Sequence, residues 1–126
     1  MLESTIIIAL GSNCGSGESI EKAKSIIKEK FGEARFTPSI KTEPIGNFDT
    51  YFTNCIGTFT SCLSADEITK TLKSIEMECG DDKAIREKGR VVLDADLLLY
   101  GEKRCHVQDW DRPYIHTLLE MLNKRM

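Results

Sequence analysis

The stretch VVLDADLLLY, Val91 to Tyr100, decides how the chain is read. It reads as a strand, and side chains on a strand alternate between two faces. Val91, Leu93, Ala95, Leu97 and Leu99 then form an unbroken apolar face that must meet a core. Val92, Asp94, Asp96, Leu98 and Tyr100 point the other way. Asp94 and Asp96 thus stand side by side on an open face, with Cα atoms about 6.5–7 Å apart. Two carboxylates held this way repel one another, and partial burial adds to the cost. A divalent cation relieves both. Hard oxygen donors without nearby His or Cys suit Mg²⁺, which commonly takes one or two carboxylates plus substrate phosphates. Solvated or arginine-paired aspartates satisfy the same spacing, so both readings stand at this level.

Upstream lies a highly charged loop, residues 81–90, in which Lys83, Arg86, Lys88 and Arg90 have the chemistry to close on a polyphosphate. No Walker A motif or kinase glycine-rich loop is present. Gly11-Ser12-Asn13, between the first strand and the first helix, is a weak candidate for an anion cradle.

The remaining elements follow from periodicity and punctuation. Thr5 to Leu10 reads as a buried strand, and Ile20, Ala23, Ile27 and Phe31 mark one face of a helix stopped by Gly32. Residues 35–43 read as a second strand, broken by Pro44-Ile45-Gly46-Asn47. Tyr51 to Leu63 reads as a third strand, long enough to expect a bulge near Gly57. Ser64 and Glu67 form a capping box ahead of a helix carrying Ile68, Leu72 and Ile75. Pro113, Ile115, Leu118, Leu119 and Leu122 mark a last helix, with Trp110 anchoring its start. The order β-α-β-β-α-β-α predicts an α+β, ferredoxin-like sandwich: a four-stranded antiparallel sheet with helices on one face.

Composition bounds the function. The 126 residues suit a single domain, 1–126, with a core that needs no staples. Seventeen Lys+Arg against 20 Asp+Glu give a net charge of −3 without a one-sign block, so no nucleic acid or membrane partner is expected. The N-terminus has no basic flank ahead of its apolar run, and five cysteines without a C-x-x-C pair read as reduced thiols. Both point to the cytoplasm.

Five segments occur in one order: Ala9-Leu10-Gly11-Ser12-Asn13, Lys41-Thr42-Glu43-Pro44-Ile45-Gly46, Phe52-Thr53-Asn54, Ile75-Glu76, and Leu93-Asp94-Ala95-Asp96-Leu97-Leu98-Leu99-Tyr100-Gly101. Together with Arg112-Pro113-Tyr114 they resemble the 6-hydroxymethyl-7,8-dihydropterin pyrophosphokinase family of folate biosynthesis. The resemblance implies a ferredoxin-like fold and transfer of pyrophosphate from ATP to the pterin hydroxymethyl group. It implies that Asp94 and Asp96 hold two Mg²⁺ ions, with ATP as co-substrate. It places Thr42, Glu43, Pro44 and Ile45 beside the pterin, Asn54 on the ring edge, and Phe52 and Tyr114 on the ring faces. Glu76 would lie near the nucleotide, Arg86 and Arg90 would grip the phosphates as catalytic arginines, and Lys83 and Arg112 would add phosphate contacts. Its partners would be small molecules, pterin and ATP, acting on a monomer or weak dimer. The chain departs from the family in two places. The basic loop lacks a tryptophan, and Cys105-His106-Val107 stands where a Pro-His pair is usual, so His106 reads as a surface residue. These departures motivate an alternative, a degenerate homologue that binds pterin or nucleotide without turnover.

Overall fold

A computed structural model describes residues 2–14, 17–44 and 50–124. Three strands form the centre of one antiparallel sheet: β1 (Ser4–Ser12), β4 (Phe52–Ser61) and β5 (Asp94–Tyr100). β1 lies between the other two. β2 (Arg35–Phe36) and β3 (Ile40–Thr42) both pair with β4, and β6 (Lys103–Arg104) pairs with the end of β5. Among the described residues the sheet therefore has six strands rather than the expected four.

One of the two extra strands comes from dividing one expected strand into β2 and β3. Residues 35–43 are interrupted at Thr37, whose backbone N–H and hydroxyl donate to the Ile56 carbonyl while its hydroxyl accepts from the Ile56 N–H. Pro38 follows and has no N–H for a ladder. The sixth strand is the return arm of a tight turn at Gly101, where φ is +63°.

The expected bulge near Gly57 is absent, because β1 and β4 pair without a register shift from Ser4↔Ser61 to Ser12↔Thr53. Gly57 instead leaves room for the Phe36 ring, whose carbons would lie 2.5 Å from a Cβ built there. The irregularity falls between β1 and β5, at Ile7/Ile8. Leu98 is the extra residue, so beyond it the faces exchange. Tyr100 pairs with Ile6 and packs on the core side, while Leu99 pairs with Ile7, the reverse of simple alternation.

α1 (Glu18–Phe31) and α2 (Ala65–Glu78) cover one face of the sheet. Their buried stripes, Ile20, Ala23 and Ile27 on α1 and Ile68, Leu72 and Ile75 on α2, meet Ile6, Ile8, Leu10, Leu93, Ala95 and Leu97. The capping box on α2 forms as the sequence predicts: Ser64 accepts from the Glu67 N–H and Glu67 from the Ser64 N–H.

The expectation of helices on one face only is overturned by α4 (Pro113–Lys124). Its Ile115, Leu118 and Leu122 bury against Ile56 and Leu98 on the opposite face, with Ile7, Ala9 and Ile40 alongside. Ile7, Ala9, Ile56 and Leu98 make the middle of that face apolar, so it needs cover. A 3₁₀ turn, Val107–Asp111, precedes α4, and Trp110 in it donates to the Leu98 and Cys105 carbonyls. The end of the face that carries Asp94 and Asp96 stays open as a cavity.

The 81–90 segment is not wholly loop. α3 (Lys83–Glu87) forms within it, capped by the Asp82 side chain on the Ile85 N–H.

Among the described residues no strand lies beside the outer edge of β5 before β6. Side chains from α2, α3 and the loop between them take the place of one. The Ala95 N–H donates to Glu76 Oε2 at 2.8 Å, and its carbonyl accepts from Lys73 Nζ at 3.1 Å. Two residues earlier the Leu93 carbonyl accepts from Arg86 at 3.1 Å, and Asp81 Oδ1 accepts from the Val92 N–H at 2.8 Å. The two acids and two bases pair with each other, Glu76 with Lys73 at 2.8 Å and Asp81 with Arg86 at 2.6 Å. Glu76 and Asp81 are buried, so each satisfies a backbone donor that water would not reach.

Removing one member of such a set leaves a buried group without its partner, which costs about 2–4 kcal/mol. Glu76→Ala is therefore expected to lower the melting temperature sharply. Glu76→Gln, which keeps an acceptor for the Ala95 N–H, should lower it less. Thermal unfolding of the two variants followed by circular dichroism checks this; equal, small losses would contradict it.

Candidate active site

Asp94 and Asp96 project from the start of β5 onto the face shared with α4, opposite Gly11 and Ala9 of β1. They border a cavity of about 240 Å³ between that end of the sheet, the segment after β3 and the start of α4. Across β1, Gly11 pairs with Asn54, and Asn54 pairs with Ile40 beside Thr42. Gly11 is required there. A Cβ at that position would stand 2.7 Å from Asn54 Oδ1, so the glycine lets the amide lie across the strand into the cavity. The Asn54 amide donates to the Thr42 hydroxyl, which orients its other end.

Thr42, Glu43, Phe52, Asn54, Tyr114, Arg86 and Arg112 all line the same cavity as the two aspartates. The fold thus brings together residues far apart in the sequence. Pro44 is not on the lining, and Ile45 lies outside the described residues. Lys83 and Arg90 are exposed and do not border the cavity; Lys83 stands at a separate hollow between α2 and α3. Glu76 is buried at the strand edge rather than presented on the cavity wall.

The electrostatics follow from this packing. Burial pushes the Asp94 carboxyl above its ordinary pKa, and the charge of Asp96 and a hydrogen bond to it push the same way. Lys73 and Arg86 oppose that rise without cancelling it. Lys73 lies 3.4 Å from Asp96 and 4.0 Å from Asp94, and Arg86 lies 3.5 Å from Asp94. For Lys73 and Arg86, burial acts to lower the pKa, but their acidic neighbours outweigh it and hold both firmly charged. Burial raises the Tyr114 pKa, with Arg112 opposing. Arg112 is itself steered by Asp109 at 3.0 Å.

Four contributors were not legible as site residues. Lys73 stands three positions before Glu76, a spacing that pairs side chains along one helix face. Asp81 closes α2 and receives Arg86, but nothing in its local sequence marks it. Asp109 is likewise visible only once the 3₁₀ turn is placed. His106 is brought to 3.9 Å from Asp96 by a left-handed backbone with φ of 49°. It is exposed, as a surface residue would be, yet it stands at the carboxylates.

Gly11-Ser12-Asn13 has a structural use. The Asn13 amide donates to the Gly89 carbonyl at 2.9 Å and accepts from the Val91 N–H at 2.6 Å, fixing the chain as it enters β5.

Residues 7–124 match the family model described as 7,8-dihydro-6-hydroxymethylpterin-pyrophosphokinase. A curated relative, the folate synthesis bifunctional protein of Chlamydia muridarum (strain MoPn / Nigg), is 28% identical over a 136-residue alignment. That alignment covers 93% of this chain and 30% of the relative, so the chain spans less than a third of that protein's length. With a match across nearly the whole sequence, the chain belongs to the 7,8-dihydro-6-hydroxymethylpterin-pyrophosphokinase family.

Proposed function

We propose that this chain transfers pyrophosphate from ATP to the hydroxymethyl oxygen of 6-hydroxymethyl-7,8-dihydropterin, releasing AMP, as a step in folate biosynthesis. The observation that carries this reading is one cavity lined by paired carboxylates, an amide–hydroxyl pair, two aromatic rings and two arginines. The printed name of the Chlamydia relative, a folate synthesis protein, supports it. The strand order supports reading the fold as a ferredoxin-like sandwich with one edge strand divided and a short strand added beside β5. The same reading makes the protein a single-domain transferase of the cytoplasm, acting as a monomer or weak dimer on small molecules.

Each residue has a physical task. A flat polar heterocycle is held by contacts to its faces and hydrogen bonds to its edge. Phe52 and Tyr114 would supply the first, and Asn54, with Thr42 and the backbone near Glu43, the second. Arg86 and Arg112 would bind phosphate oxygens by charge-assisted hydrogen bonds. Displacement at phosphorus needs positioning and charge neutralisation more than covalent help. Arg86 is held by Asp81 and the Leu93 carbonyl before any ligand arrives, so little side-chain freedom is lost on binding.

The aspartates fit Mg²⁺. They are neighbouring oxygen donors, and burial together with the charge of Asp96 disfavours the ionised form of Asp94 when no metal is bound. Among the described residues no cluster of three or more His, Cys, Asp or Glu forms a complete metal cage. The remaining ligands would come from phosphates and water, the usual arrangement for this ion. Bound there, as two ions in this reading, Mg²⁺ would neutralise charge on the phosphates and on the attacking and leaving oxygens. The degenerate alternative draws support from Lys83 and Arg90 standing away from the cavity.

An assay of AMP formation from ATP and the pterin alcohol decides between the two. Mg-dependent AMP is expected, reduced at least tenfold by Asn54→Ala; pterin binding without AMP would favour the alternative. A second prediction follows from Asp94. A carboxyl whose pKa is raised by folding favours the folded state at low pH, and that contribution is lost as pH rises through the raised value. Asp94→Asn should therefore raise the melting temperature at pH 7, with the gain shrinking as the medium is acidified. Added Mg²⁺ should raise the melting temperature of the parent protein but not of the variant. A variant less stable than the parent at pH 7 would assign Asp94 a structural role.

A further inference from the structure

Lys73 serves two structures at once. Its ammonium donates to Glu76 Oε2 at 2.8 Å and to the Ala95 carbonyl at 3.1 Å, both part of the β5 edge. It also faces the carboxylate pair, at 3.4 Å from Asp96 and 4.0 Å from Asp94. An ammonium has three protons, so two hold the edge and the third is turned to the aspartates. The side chain reaches them from α2, around the strand edge, and is 47% exposed. It therefore has room to turn without any backbone movement.

We propose that Lys73 is a tethered counter-ion of the Asp94–Asp96 pair, occupying the cation's place in the ligand-free protein and giving it up when a divalent cation binds. The inference rests on the metal-seat reading above and assigns the residue that sets the affinity of that seat. Mg²⁺ bonds to oxygen at about 2.0–2.1 Å and requires near-octahedral access to it. An ammonium pointing at the same Asp96 oxygen blocks one approach and repels the incoming ion. Higher charge gives the metal the stronger claim on the carboxylates. Lys73 then turns its third proton outward while its bonds to Glu76 and Ala95 persist, so β5 stays sealed during the exchange. The flexible four-carbon stem of lysine suits this pivot. Lys73 is on this account a positioning residue: it keeps the two acids facing the cavity when no metal is present and weakens the resting affinity for the ion.

The test is a titration of metal-free protein with Mn²⁺, followed by the electron paramagnetic resonance signal of the free ion. Lys73→Gln keeps a donor for the Ala95 carbonyl but has no charge. It should bind Mn²⁺ about two- to fivefold more tightly than the parent, the effect of removing a half-exposed ion pair. Lys73→Met, neutral and without a donor, should show the same gain, and Lys73→Arg should return affinity to the parent level. A residue that only glued the edge would alter the melting temperature and leave Mn²⁺ affinity alone. Unchanged or weaker Mn²⁺ binding in a folded neutral variant overturns the proposal. Absence of Mn²⁺ binding by parent and variants alike overturns both the proposal and the metal seat. A parent that makes no AMP, yet whose Mn²⁺ affinity responds to Lys73, removes the pyrophosphokinase reading alone.

Discussion

The structure depends on how the free edge of β5 is closed. A strand edge without a neighbour exposes backbone donors and acceptors that must be satisfied or left to water. Here Glu76 and Lys73 serve the two backbone groups of Ala95, while Arg86 and Asp81 serve those of Leu93 and Val92. Each pair supplies one acceptor and one donor, as a paired strand would. Because these groups carry charge, the same contacts that fix the strand also fix the field around it. Asp94 and Asp96 alternate with the sealed positions along β5 and so point away from the edge's core side into the cavity. Holding the backbone and orienting the carboxylates are one arrangement.

The sheet divides its second face between two tasks. Toward one end, Ile7, Ile56 and Leu98 are apolar and take α4. Toward the other, Gly11, Asn54, Asp94 and Asp96 are small or polar and stay open. α4 then contributes Tyr114 and Ile115 at its start to the cavity wall, so the helix that covers half the face also bounds the site on the other half.

Much of this was legible beforehand where one local rule acted alone. The capping box at Ser64 and Glu67, the stripes of α1 and α2, and the placement of Asp94 and Asp96 on one face all follow from short-range spacing. The parts missed depend on contacts across the sheet. Alternation predicted Leu99 on the core side and Tyr100 opposite, but a register shift against Ile7/Ile8 exchanged them. The strand over 35–43 divided because the Thr37 hydroxyl competes for the Ile56 backbone. The expectation of an open face rests on the two aspartates of β5 alone, whereas Ile7 and Ile56 on the neighbouring strands supply the apolar area that α4 covers. Among site residues, Lys73 and Asp81 escaped notice because their value lies in reaching the edge of β5, a partner no local pattern names. Glu76, which the resemblance sets near the nucleotide, is buried with its Oε2 on the Ala95 N–H.

Paramagnetic broadening measured by nuclear magnetic resonance tests the central claim most directly: that the carboxylates held by this edge seat a cation beside the cavity. Trace Mn²⁺ added to isotopically labelled protein should broaden the amide resonances of Asp94 to Asp96, Gly11 and Asn54 first. Broadening that begins instead at exposed acids such as Glu18 and Glu21 on α1, with the β5 resonances left sharp, would contradict it.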